Sequence, residues 1–158
     1  NTAVHNLNQR QRRWFADRII NHFGNDLSGK KVALWGLAFK PNTDDVRDAP
    51  SIDIAKTLIA AGAQVTGFDP EAWKTFGEVV PEVTICKDMY ETAEGADALV
   101  ICTEWAEFSS PNFSRLKSKL NGAVVFDGRN LYKRKEMAIN GFNYYSVGRP
   151  TVELAVAE

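Results

Sequence analysis

Metal and redox chemistry have little to work with in this chain. Its 158 residues include two cysteines, Cys86 and Cys102, and two histidines, His5 and His22, none at metal-ligand spacing. The dinucleotide fingerprint G-x-G-x-x-G is missing, and so is a Walker-type G-x-x-x-x-G-K-[ST] run. There is no stretch of ~18 apolar residues that could cross a bilayer. Nothing resembles a signal peptide either, the stretch from Asn1 to Arg13 being polar and basic. Nor does charge of one sign prevail, with 19 basic against 20 acidic residues and a net charge of −1. No global field therefore favours nucleic acid or an anionic membrane as partner. No pair of carboxylates and no nucleophile–base pair stands out. Both cysteines lie in or beside apolar runs, as reduced strand residues of a cytoplasmic protein would. Cys102, near the end of its run, leaves a nucleophile open, although no histidine is close in sequence.

What is present is an alternation. A length of 158 residues suits one domain with an ordinary core. Val4 to Phe23 reads as a helix, with Phe15, Ile19 and Phe23 four apart and Gly24 as its stop. It begins abruptly, as the end of something longer would. Lys31 to Leu37 is an apolar run typical of a strand buried on both faces. Ser51 to Ala61 is an amphipathic helix and Gln64 to Phe68 a second strand, which makes a right-handed βαβ unit. Shorter helices are expected over 72–76, 89–94, 113–120 and 133–139. Strands are expected over 83–86, 98–103, 123–126 and 142–147. Repeated β–α units predict a Rossmann-like doubly wound parallel sheet, preceded by the end of a long helix. The end, Arg149 to Glu158, carries no stop signal and is expected to be disordered.

In such a sheet, function gathers on loops just past the carboxyl ends of strands. Four places qualify. The loop Gly36 to Ser51 carries Lys40 and Arg47 between Pro41 and Pro50, with apolar Phe39 beside the lysine. That set suits a ligand with a flat ring and phosphates, held by side-chain cations because the glycines are missing. The plainer alternative is a surface loop in which Arg47 pairs with Asp44, Asp45 or Asp48. Asp69, after the second strand, stands where a dinucleotide fold uses an acid on ribose, or it is a turn former before Pro70. Glu104, beside Trp105, is a candidate acid or part of a helix cap. Arg129, after Gly128, is aimed off a strand end and offers bidentate contacts to phosphate, or it pairs with Asp127 or Glu136.

The loop Gly36-Leu-Ala-Phe-Lys-Pro-Asn-Thr-Asp-Asp-Val-Arg-Asp-Ala-Pro-Ser51 resembles the signature that opens the C-terminal domain of the UDP-glucose 6-dehydrogenase family. Phe68-Asp-Pro70, Thr103-Glu-Trp105, Val125-Phe-Asp-Gly-Arg-Asn-Leu131 and Gly141-Phe-Asn-Tyr-Tyr-Ser-Val-Gly148 are similar to bacterial members in the same order. The resemblance divides the chain into the end of a central linker and dimerisation helix (1–24), a UDP-sugar-binding C-terminal domain (25–150) and a tail (151–158).

The resemblance implies oxidation of the sugar C6 alcohol of UDP-glucose to a carboxylate, with two NAD+ reduced. It implies an N-terminal domain that holds NAD, and a homodimer built mainly on the central helix. The family's catalytic cysteine segment, G-G-S-C-F-P-K-D, is missing, so this chain is not expected to oxidise anything by itself. Phe39, Lys40 and Arg129 resemble substrate-binding residues, and Arg47 the arginine that reaches toward NAD across a domain cleft. A self-standing nucleotide-sugar sensor and an ordinary NAD-binding domain are the alternatives. So too is the matching domain of a GDP-mannose or UDP-N-acetylmannosamine dehydrogenase.

Overall fold

The computed structural model describes the backbone of residues 2–154 and the side chains of residues 10–154. A six-stranded sheet forms its centre: β1 (Lys31–Trp35), β2 (Gln64–Phe68), β3 (Thr84–Ile85), β4 (Ala98–Ile101), β5 (Val124–Asp127) and β6 (Asn143–Ser146). The order across it is β3-β2-β1-β4-β5-β6, and every strand pair is parallel. The expected Rossmann-like sheet is what forms.

Burial explains the strand sequences. β4 and β5 are buried along their whole length, and β1 is buried after Lys31, hence their apolar runs, which in β5 give way only at Asp127. β6, at the edge, alternates between buried and half-buried residues. The crossover helices α2 (Pro50–Ala60), α3 (Trp73–Val79), α4 (Met89–Ala93), α5 (Phe113–Lys119) and α6 (Arg134–Ile139) cover the sheet. In α2 the buried side chains are Ser51, Ile54, Ala55 and Leu58, the face expected from the sequence apart from Ile59, which is half-buried. Pro50 opens this helix, where its missing N–H costs nothing. The long helix α1 (Thr2–His22) packs on α2 and buries Phe15 and Ile19 in the same core.

Two boundaries differ from the sequence reading for a shared reason. β1 stops at Trp35, not Leu37, and β4 at Ile101, not Thr103. Gly36 adopts φ 92 and turns the chain off the ladder against Thr103. Leu37, Cys102 and Thr103 are buried all the same, so apolar character continues past the last strand residue. The end is also more ordered than expected. Val152 forms an antiparallel bridge with Tyr144, through bonds of 2.9 and 2.8 Å, and the Leu154 amide donates to the Asn143 side chain at 2.7 Å. Residues 155–158 lie outside the described part.

The strand order reverses between β1 and β4. In open α/β sheets that reversal leaves a crevice beyond the carboxyl ends of the two strands, where ligands bind. Trp35 pairs with Ile101 and Ile101 with Asp127, so the loops after β1, β4 and β5 leave the sheet at one level.

Candidate functional site

The loop after β1 is pinned by its backbone, which leaves two side chains free. A Cβ at Gly36 would lie 2.5 Å from the Thr103 Cβ, so only glycine permits this turn. Thr103 Oγ1 donates to the Ala38 carbonyl at 2.7 Å, and Ser51 Oγ to the Leu37 carbonyl at 2.7 Å. Asp69 closes the bracket. One of its oxygens accepts from the Leu37 amide (2.7 Å), the Ala38 amide (2.9 Å) and the Trp105 indole (3.0 Å). The other accepts from the Glu71 and Ala72 amides at 2.9 and 2.7 Å.

The turn role of Asp69 is therefore real, but the sequence reading missed the larger one, which is to hold the loop of another strand. A carboxylate has about four lone-pair sites, and five donors fill them. Nothing remains for a ribose hydroxyl. Beyond this buried stem, Phe39 and Lys40 emerge into solvent, with Phe39 half exposed.

The loop after β5 is built the same way. Asp127 is wholly buried and accepts from the Arg129 amide at 2.8 Å and the Leu131 amide at 2.7 Å. Gly128 lets Phe15 of α1 lie on the turn, since a Cβ there would come within 3.4 Å of the Phe15 ring and 3.0 Å of the Ile101 carbonyl. The Arg129 guanidinium pairs with Glu104 through Nε and Nη2, not with Asp127 or Glu136. The reason is register. Because β4 and β5 are neighbours, the residues just past their ends stand side by side, while the Asp127 carboxylate is already taken. Glu104 is thus neither a cap nor an acid enclosed by Trp105, whose indole turns inward to Asp69.

Phe39, Lys40, Glu104, Gly128 and Arg129 line one cleft of 380 Å³, a size within the usual range of small-ligand sites. Its other wall is α1, which contributes Gln11, Arg12, Trp14 and Phe15. Arg12 donates to the Asp48 carbonyl at 2.6 Å and to the Asp53 carboxylate at 3.3 Å, tying the loop after β1 to the helix. Trp14 is half exposed, with the Arg18 guanidinium 5.3 Å from its ring centre. This wall was missed in the sequence, where only the stripe of Phe15, Ile19 and Phe23 was read from the helix.

Arg47 does not line the cleft. It forms a forked pair with Asp45, with Nη2 at 2.8 Å and Nε at 3.1 Å, and its side chain is 89% exposed. The hydrogen bonds from Arg47 pull the Asp45 carboxyl down to about 2. Of the three acids the sequence offered, Asp45 is the partner. Cys102 lines the cleft, but burial pushes its thiol up to about 12, too high for a nucleophile at neutral pH. His22 packs edge-on against Phe126 and Tyr145. Among the described residues no cluster could hold a metal ion, and no helix is long and apolar enough to cross a membrane.

Residues 33–134 match the model of the UDP-glucose/GDP-mannose dehydrogenase family, UDP binding domain. The chain belongs to this family. It is 44% identical over 144 residues to a UDP-glucose 6-dehydrogenase of Rhizobium meliloti, covering 91% of this chain and 33% of that protein. It is 40% identical over 154 residues to the Pseudomonas aeruginosa enzyme of the same name, covering 94% and 34%. A solved UDP-glucose dehydrogenase from Pyrobaculum islandicum superimposes with a TM-score of 0.75 at 29% identity, over 91% of this chain and 31% of that one. The chain thus spans about a third of the length of the relatives it matches.

The cleft gathers three kinds of group. It offers an exposed ring, a flexible ammonium and a guanidinium, the last balanced by one carboxylate. The junction of β1 and α2 lacks the glycines of the dinucleotide fingerprint. Asp69, in turn, is saturated by its five donors.

Proposed function

We propose that this chain is the substrate-nucleotide domain of an NAD-dependent UDP-glucose 6-dehydrogenase, a cytoplasmic enzyme that converts UDP-glucose to UDP-glucuronate and reduces two NAD+. One observation carries the reading. Phe39 and Lys40, and Arg129 far from them in sequence, line a single cleft at the strand-order reversal of a UDP-binding domain. In it the Lys40 ammonium and the Arg129 guanidinium hold the diphosphate, and Phe39 lies against the uridine or the sugar.

A separate N-terminal domain holds NAD, a reading supported by the missing glycine fingerprint and the saturated Asp69. Arg47, exposed and outside the cleft, reaches that cofactor across the domain boundary. The catalytic cysteine belongs to the same absent part, and the 158 residues alone are inactive. Residues 1–24 then end the linker helix on which a homodimer forms, 25–150 bind the UDP-sugar, and 151–158 are a tail. Glucose is favoured as the sugar because the UDP-glucose 6-dehydrogenases reach 44% identity. UDP-glucose 6-dehydrogenases of Pseudomonas aeruginosa and Bacillus subtilis follow at 40%.

Mapping UDP binding by backbone amide NMR tests the assignment. Shifts at 36–40, 102–105 and 127–131 are expected, with 45–48 unmoved. Shifts confined to any other surface would overturn it.

A further inference from the structure

Asp127 is a fully buried carboxylate at the end of a strand that is otherwise apolar. A charge in that position is costly, and a well-packed apolar residue would serve the core as well or better. Every contact it makes bears on one turn. Its Oδ1 holds the Arg129 amide at 2.8 Å, and its Oδ2 holds the Leu131 amide at 2.7 Å and the Tyr144 hydroxyl at 2.6 Å.

A cation stands one group further in. Arg149 Nη2 donates to the Tyr144 hydroxyl at 2.7 Å, Nη1 to the Tyr132 carbonyl at 2.9 Å, and Nε to Ser146 Oγ at 3.0 Å. The positive charge therefore reaches the buried carboxylate through one phenol. Burial and the bond to Asp127 keep that phenol protonated, so it remains a donor.

The far side of the turn is fixed too. Asn130, at φ 55, accepts from the Val147 amide at 2.9 Å and donates to the Val147 carbonyl at 2.8 Å. Val152 then binds Tyr144 from the outer edge of the sheet. The turn carrying Arg129 is thus braced by β6 and by the segment that follows it.

We propose that Asp127, Tyr144 and Arg149 are positioning residues that aim Arg129 at the phosphates of the ligand. The proposal rests on the reading of the cleft as a UDP site. None of the three lines the cleft; each acts through Arg129. A cation on an unbraced loop would sample many directions, whereas a guanidinium on a fixed turn loses less freedom when it binds.

The test is a double-mutant cycle on UDP affinity, measured by calorimetry with the whole chain. Tyr144→Phe keeps the ring and removes the phenol; Arg149→Lys keeps the charge and removes the fork. Each is expected to weaken UDP about tenfold, the scale of one displaced charged hydrogen bond. In an Arg129→Ala background, neither should have any further effect. That vanishing is what a merely structural role would not produce, because a general loss of stability would weaken binding equally in both backgrounds.

Unchanged UDP affinity in both variants would overturn the proposal. So would an equal loss with and without Arg129. If Arg129→Ala alone left UDP binding intact, the site reading itself would fail at that residue, and the brace would fall with it.

Discussion

Replacing Asp69 by asparagine tests the bracket on which the cleft depends. The carboxylate is buried and accepts five hydrogen bonds, three on one oxygen and two on the other. Asparagine retains one acceptor oxygen and places an NH2 where the second stood. Its least costly orientation keeps the oxygen toward Leu37, Ala38 and Trp105 and turns the NH2 on the amides of Glu71 and Ala72. Two donors then face a donor. At ~1.5–3 kcal/mol for each lost bond to a charged acceptor, the substitution costs about 3–6 kcal/mol. Domains are stable by only ~5–15 kcal/mol, so this is a large fraction of the whole. Urea unfolding with an unchanged slope should show the loss as a lower midpoint. Ligand affinity should fall as well, because Leu37 and Ala38 anchor Phe39 and Lys40. A loss under ~1 kcal/mol, the scale of an ordinary surface substitution, would refute the clamp.

Lys40→Ala should weaken UDP binding by ~1.5–3 kcal/mol, the scale of a charged hydrogen bond, and titration calorimetry reads it directly; unchanged affinity removes Lys40 from the site. Arg47→Ala should leave UDP affinity unaltered and raise the NAD+ concentration required by the full-length enzyme, and steady-state kinetics separates the two. The Asp45 carboxyl should titrate at about 2 by NMR and rise in Arg47→Ala, though not fully, because the backbone amide of residue 47 still donates to it. Its folded value lies below its unfolded one. Its contribution is therefore complete above the unfolded value, near ~4, and disappears as pH falls toward 2. Cys102 should resist iodoacetamide at neutral pH, as peptide mass spectrometry would show, and rapid labelling would contradict its burial.

The fold was legible because its signals are local. Gln64–Phe68 lies between the Gly62 stop of a helix and an Asp-Pro turn, and the strand has those bounds. Ile54, Ala55 and Leu58 repeat at helical spacing and are buried together. The candidate cations were legible for the same reason, as polar residues just past apolar runs.

What was not legible depends on strand order, which no local pattern carries. That β5 lies beside β4 is what joins Arg129 to Glu104. The pairing of β1 with β2 was expected from the βαβ unit, but not the reach of Asp69 back to Leu37 and Ala38. The α1 wall escaped because Trp14 and Arg12 sit beside the apolar stripe, and only packing shows which flank faces the cleft. The stretch from Arg149 to Leu154 read as disordered because Arg149, Val152 and Leu154 find partners only on the folded edge strand.

Titrating the chain with UDP, UDP-glucose and NAD+ by calorimetry tests the central claim most directly. UDP and UDP-glucose should bind alike, because the cleft grips the nucleotide diphosphate, and NAD+ should not bind. Binding of NAD+ in preference to UDP, or no binding of UDP at all, would contradict the account.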